Sequence, residues 1–307
     1  MATVNLLGDA INDDGSGNIS LPALTIHPSV GSIPATTPYP LALYQPPATN
    51  FIGLNLLNYF NTITAAAGSG GSLGAFFDLT NNNDNQAIPA WSGFGPNSPG
   101  GVRALNGNDG ITGSSDNDVI NGNQGDDTLS GGNGYDYLRA GQGNDNISGD
   151  NGNDIVNGNF GNDFVFGGFG NDIVRGGQGD DNLFTSGGDD ILIGDLGSDT
   201  LTGGLFGRDG FFLRSDTTSG GSNLAANEFS ADRILGFTPG FDYILSNGIT
   251  RSQITFSNVA VDGAAGFNDT AILFGGQVLG VVIDTTNANV FNNFYNVGSS
   301  PSILGIG

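Results

Sequence analysis

Residues 159–184 read NFGNDFVFGGFGNDIVRGGQGDDNLF. Gly, Asn and Asp, the residues of turns, crowd this stretch. Yet Val165, Val174 and Leu183 stand nine apart, each two residues after an Asp. The beat continues in both directions. Asp109, Asp118, Asp127, Asp136, Asp145, Asp154, Asp163, Asp172, Asp181, Asp190 and Asp199 follow at a step of nine without a miss. Two residues after each lies an aliphatic: Ile111, Ile120, Leu129, Leu138, Ile147, Val156, Val165, Val174, Leu183, Leu192 and Leu201. Gly stands two residues before most of these Asp, with Asp116 as an exception. A twelfth unit, GGLFGRDGFF at 203–212, is one residue too long and ends the strict array at Asp209. A disordered Gly/Asn/Asp linker would not hold aliphatics in phase over such a length.

The spacing has a physical reading. Gly and Asn accept the left-handed backbone angles of tight turns. The triplet centred on the aliphatic is a very short strand, with its middle residue inward and its neighbours outward. Two nonapeptides then close one coil, and coils stack about 4.8 Å apart, so the array is roughly 26 Å long. Turns on one side carry Asp109, Asp127, Asp145, Asp163, Asp181 and Asp199. Turns on the other carry Asp118, Asp136, Asp154, Asp172, Asp190 and Asp209.

The unit is G-G-x-G-x-D-x-U-x, with U aliphatic. In this the sequence resembles the RTX family of Gram-negative exoproteins, with their haemolysin-type calcium-binding repeats. The resemblance covers about a third of the chain by strict repeat, and more loosely DRILGFTPGFDYILS at 232–246. It implies an all-β fold, a calcium-binding parallel β-roll or β-solenoid. It also implies that each Ca²⁺ sits between successive turns on one side, taking oxygens from Asp carboxylates and backbone carbonyls. The twelve Asp from Asp109 to Asp209 are then the metal ligands, for about ten ions. Metal binding would be coupled to folding, because unneutralised carboxylates repel and small aliphatics bury little surface.

Composition agrees with this reading. The formal net charge is -23, yet charged residues are only 12% of the chain. Glu228 is the sole glutamate among 30 acidic residues, and the seven basic residues are all Arg. A chain biased to short, hard-oxygen Asp reads as a ligand supply: about ten divalent ions would bring about +20. Such acidity repels nucleic acid and anionic membrane, so neither is expected as a partner. No stretch of 18 apolar residues exists, so no membrane-spanning helix is expected. Cysteine is absent, which excludes disulfides and thiolate sites. The start MATVNLLGDAINDDGSG has neither a basic nor an apolar secretory region. The family resemblance implies instead a type I route read from an uncleaved C-terminal signal.

Three regions are expected. Residues 1–104 form an irregular Pro-rich β region, a candidate assembly or binding segment. Seven of the 12 prolines fall between Pro22 and Pro47, which favours an extended segment over helix or central strand. Residues 105–213 are the β-roll. Residues 214–307 read as a C-terminal β-strand region holding the secretion signal. There DRILGF and DYILS flank the turn TPGF, and TAILF and QVLGVVI flank Gly275-Gly276, a hairpin signal.

The outward positions carry a second pattern. Val119, Tyr137, Ile155, Ile173 and Ile191 form an apolar stripe on one sheet. Thr128, Asn146, Phe164, Asn182 and Thr200 make the other sheet mostly polar, broken by Phe164, Phe166 and Phe184. Such a stripe is rarely left in water. Cover by the chain's own ends and contact with another copy both satisfy it.

Catalytic constellations are missing. His27 is the single histidine, which rules out a zinc-protease His pair. GGSLG at 70–74 matches G-x-S-x-G around Ser72, but no His follows it to complete a triad. No Asp pair in residues 1–104 suggests a glycosidase. DDGSGN at 13–18 reads as a polar turn. The expectation is a non-enzymatic, secreted, calcium-dependent structural protein of the cell surface or matrix. Its partner is other copies of itself, in a fibre, sheath or S-layer-like lattice. The alternatives are a calcium-stabilised adhesin that binds cell-surface glycans, and an RTX-tailed hydrolase.

Overall fold

The computed structural model describes residues 77–88, 102–115, 118–213, 225–246, 249–261 and 269–296. It also describes the backbone of the short strands Val4–Asn5, Ala10–Asp13, Asn18–Ser20, Tyr39–Pro40, Thr217–Thr218 and Gly221–Ser222. The first four of these pair antiparallel in chain order. His27, Ser72, most of the Pro-rich stretch and the apolar run that precedes Phe77 lie outside the described residues.

The rest of the described chain winds between two sheets that are parallel through the repeat, one of eleven strands and one of ten. Within the repeat each strand pairs with the strand one coil on. Thr128 opposes Asn146 and Asn146 opposes Phe164 in the eleven-stranded sheet. Tyr137 opposes Ile155 and Ile155 opposes Ile173 in the ten-stranded sheet. The inward aliphatics of both sheets meet in one core. Ile111, Leu129, Ile147, Val165, Leu183 and Leu201 come from one sheet, and Ile120, Leu138, Val156, Val174 and Leu192 from the other. This is the all-β parallel solenoid that the nine-residue step implied, because a register slip of one residue would turn this row outward.

Stacking continues past the strict array at both ends. Phe77–Asp78 and Asn85–Ala87 pair parallel with Val102–Arg103 and Gly110–Thr112. At the other end Gly210–Leu213 closes the overlong twelfth unit and pairs with Ile191–Leu196. Arg233–Leu235 and Tyr243–Ser246 then add a further coil, one strand to each sheet. They flank the Thr238–Phe241 turn as expected, but they do not pair with each other. Ile234 and Ile244 continue the inward rows instead. A last coil follows as Val281–Val282 pairs with Arg233–Ile234, and Phe294–Asn296 pairs with Ile244–Ser246.

The eleven-stranded sheet ends in an antiparallel meander of Ile254–Val259, Asp269–Phe274 and Gln277–Val282. Gly275 and Gly276, both at positive φ, make the tight hairpin that the sequence signalled. A bare parallel edge would offer unpaired backbone groups, and the meander moves that edge away from the repeats. Arg251 fastens this end, donating to the Phe294 and Asn292 carbonyls at 2.6 and 2.7 Å.

The two outer faces differ. On the ten-stranded sheet Val119, Tyr137, Ile173 and Ile191 are buried within the single chain. Arg139, Asn157 and Arg175 beside them are buried too, and Arg175 pairs with Asp195 of the next coil. On the eleven-stranded sheet the equivalent residues Thr128, Asn146, Phe164 and Asn182 are exposed. Among the described residues no helix is long and apolar enough to cross a membrane.

Candidate metal centre

Each repeat Asp immediately precedes a strand, so its carbonyl accepts a ladder bond, as Asp109 does from Thr128 N–H, and its side chain turns back into the preceding turn. Its N–H donates to Oδ1 of the Asp one coil on. Asp109 bonds Asp127, Asp127 bonds Asp145 and Asp145 bonds Asp163 at 2.7–2.8 Å. On the other side Asp118 bonds Asp136, Asp136 bonds Asp154 and Asp154 bonds Asp172 at 2.7–2.8 Å. The ladders run on through Asp163, Asp181 and Asp199, and through Asp172, Asp190 and Asp209. All twelve predicted Asp are therefore buried in two files, on the sides expected. A second, exposed ladder at the preceding position runs the opposite way, as where Asn162 N–H donates to Asn144 Oδ1.

One oxygen of each carboxylate is thus used, and the other is not. Ten of the twelve, Asp109 and Asp127 through Asp199, hold Oδ2 buried without a hydrogen-bond partner. A native fold leaves few such atoms, and each needs an explanation. The surroundings supply one. A methyl group on Gly149 would lie 2.6 Å from Asp154 Oδ2 and 2.4 Å from the Gly167 carbonyl oxygen. One on Gly122 would lie 2.2 Å from Asp127 Oδ2 and 2.6 Å from the Ala140 carbonyl oxygen. Glycine thus keeps open a space where a carboxylate oxygen and a next-coil carbonyl converge. These are hard oxygen donors without nitrogen or sulfur, the set that suits Ca²⁺. Among the described residues no three acidic or imidazole side chains cluster around one point. Backbone carbonyls would therefore supply most ligands of any ion held there.

The electrostatics point the same way. Burial pushes the carboxyls of Asp127 and Asp172 up to about 7, Asp136 to about 8, and Asp154 and Asp181 to about 9. Neighbouring carboxylates contribute to these raised values, Asp199 acting on Asp181 for example. The N–H bond from the previous coil pulls each down, without restoring the ordinary value of 3.8. A buried carboxylate with only part of its hydrogen bonding met needs a proton or a cation.

Three ladder members escaped the nine-residue count. Asp84 N–H donates to Asp109 Oδ1, Asp199 N–H to Asp232, and Asp209 N–H to Asp242. The D-x-aliphatic triplets Asp232–Ile234 and Asp242–Ile244 carry the repeat signature out of phase. Asp84 is followed by Asn85 and Gln86 and carries no such signal.

The ends of the ladders also differ in chemistry. Asp84 Oδ2 accepts from Thr80 N–H, Asp118 Oδ2 from Ser114 N–H, and Asp242 Oδ2 from Thr238 N–H, at 2.6–2.8 Å. In each the residue four before the Asp is Ser or Thr. In the repeats that position is left-handed, at Leu105, Asn123, Gly132, Gly141, Asp150, Asn159, Gly168, Gly177 and Asp195. A left-handed residue turns its N–H away, and the carboxylate keeps an open oxygen. Ser186, before Asp190, is the exception.

Residues 104–138, 139–174 and 175–206 match the RTX calcium-binding nonapeptide repeat. Repeats of this kind bind Ca²⁺, and the matched segment is the central part of the solenoid. No curated protein matches the chain.

Proposed function

We propose that this chain is a secreted structural protein that calcium folds outside the cell, and that its copies associate non-covalently into a fibre, sheath or lattice. The carrying observation is the row of ten buried carboxylates, each with one open oxygen beside backbone carbonyls. About ten ions at these turns would bring about +20 against the -23 of the chain. Where calcium is scarce the chain stays unfolded and exportable; where it is millimolar, binding and folding occur together. The twelve predicted Asp do not share this role equally. The ten with an open Oδ2 are the ligands, whereas Asp118 Oδ2 accepts from Ser114 N–H, as Oδ2 of Asp84 and Asp242, outside the twelve, accepts from Thr80 and Thr238. The chain has no Lys and no Cys, so no isopeptide or disulfide link between copies is available to it. No catalytic role is assigned.

Two measurements test this. Equilibrium dialysis of Asp163→Asn in calcium should show a loss of one or two bound ions relative to wild type. Asp242→Asn should leave the stoichiometry unchanged, because Thr238 already holds its second oxygen. Equal losses from both would remove the distinction between open and closed carboxylates. For assembly, electron microscopy of the purified chain should show ordered polymers in calcium that disperse in chelator. Retention of a non-assembling chain on cell-surface glycans would favour the adhesin reading instead.

A further inference from the structure

We propose that the bare outer face of the eleven-stranded sheet, centred on Phe164, Phe166 and Phe184, is where two copies of this chain meet, and that they meet only with calcium bound. This rests on the self-association reading above and supplies its surface.

Two rows of side chains point outward from this sheet. Within the repeat they hold Thr112, Thr128, Ser130, Asn146, Ser148, Asn182, Thr200 and Thr202 around the three Phe. None is charged, although 30 acidic residues must lie somewhere on the chain. One carboxylate of the same sheet, Asp150, accepts hydrogen bonds from Ser130 and Ser148 of these rows. In the middle of this neutral face lies an apolar patch. Phe164 is 47% exposed and stacks on Phe184 with ring centroids 4.8 Å apart. Phe166 sits beside Phe184 across the ladder. Phe169 and Phe206, 65% and 76% exposed, extend the patch onto the adjoining turns. A monomer seldom leaves this much aromatic surface in water.

Three observations choose a second copy as occupant. The first is position. The three Phe lie on the fifth and sixth strands of the eleven, the centre of the sheet. In a two-fold interface the centre of a face meets its own copy, so aromatic meets aromatic and neutral rim meets neutral rim. The second is shape. The face is a regular parallel sheet, and two such faces pack about 10 Å apart with side chains interdigitating. The third is charge. Two chains at -23 repel, and a face whose outward rows carry no charge, with the carboxylate of Asp150 held by Ser130 and Ser148, is one they can share with few opposed charges. Even so, the long-range repulsion falls only when ions occupy the turns, to a net charge of about -3 for ten ions. The opposite sheet offers less, because Val119, Tyr137, Ile173 and Ile191 of its stripe are buried within the chain and Ile155 is half-buried. The C-terminal strands are likewise closed, with Ala271, Val278 and Val281 packed beneath Ala225 and Ala231.

Sedimentation velocity of the full chain tests this in millimolar calcium and in chelator. Wild type should associate in calcium and be monomeric in chelator. A double variant, Phe164→Thr with Phe184→Thr, uses a residue already present in the same row. It should keep the calcium-induced circular dichroism of wild type while associating about 100-fold more weakly. Phe241→Thr, at an exposed aromatic away from the patch, should associate like wild type. If the double variant does not fold, Phe166→Ser and Phe169→Ser, tested singly, replace it and should each weaken association. Wild type that associates in calcium while folded patch variants associate as tightly would overturn this face and leave self-association standing. Wild type that stays monomeric in calcium would end both. A monomer held on polysaccharide through the same Phe would make the face a glycan platform and overturn the second copy.

Discussion

In chelator at neutral pH the full chain should lose its β circular dichroism, and added calcium should restore it. Burial raises the carboxyl of Asp127 from 3.8 to about 7, and that of Asp154 to about 9. Holding the first ionised in its turn costs at most a few kcal/mol once solvent screening is allowed for, and ten buried carboxylates with an open oxygen stack two to a coil. A domain's whole stability is about 5–15 kcal/mol, so the calcium-free solenoid cannot hold these charges at neutral pH. The inward rows do not compensate, since they add only one Val, Leu or Ile per nonapeptide.

The same shifts set the pH dependence. The folded chain binds more protons than the unfolded one between the ordinary carboxyl value of 3.8 and the raised values of about 6 to 9. Stability of the calcium-free fold is therefore fully present below pH 4 or so and is lost as pH rises through 6 to 9. Acid should partly replace calcium: a chelated sample near pH 4 keeps more β signal than one at pH 8. Calcium must displace those protons, so its midpoint concentration should fall as pH rises across the same window. Full β structure in chelator at pH 8 would sink both expectations.

How much of this was legible in the sequence varies from residue to residue. Asp163, Val165 and Phe164 were readable as ligand-side, core and outward, because a fixed period leaves one way to alternate side chains along short strands. The sidedness of the two Asp files followed from the same count. Asp232 and Asp242 were not readable in this way, because each stands 33 residues, not 18, after its ladder partner, which breaks the period while preserving the stacking. Their D-x-aliphatic triplets survive, but three residues are too short a signal alone. The strands Arg233–Leu235 and Tyr243–Ser246 looked like neighbours around a turn. They entered opposite sheets because Thr238–Phe241 replaces a repeat turn and does not close a hairpin. The burial of Tyr137 and Ile191 was beyond reach for another reason. Alternation says that a side chain leaves the core, but not whether the chain returns to cover it.

Gly152→Ala should abolish the fold of the central coils even in saturating calcium, whereas Gly240→Ala should be tolerated. The two positions share a backbone that disfavours side chains, with φ of +142° and +86°. They differ in what a methyl group would meet. At Gly240 nothing lies within 4 Å, so the substitution costs the backbone strain alone, about 1–2 kcal/mol. At Gly152 the methyl would fall 1.4 Å from the carbonyl oxygen of Gly134, one coil back. That oxygen belongs to the backbone and cannot swing aside, so the coils must separate. Separation breaks the bond from Asp136 N–H to Asp154 Oδ1 and parts carbonyls from the carboxylates they face. Calcium titrations followed by circular dichroism, with thermal melts in excess calcium, separate the two variants. Equal, small shifts at both sites would mean that strain alone governs the turns. A loss confined to Gly152→Ala means that the glycines are kept for the closeness of successive turns, the condition that lets one ion draw oxygens from both.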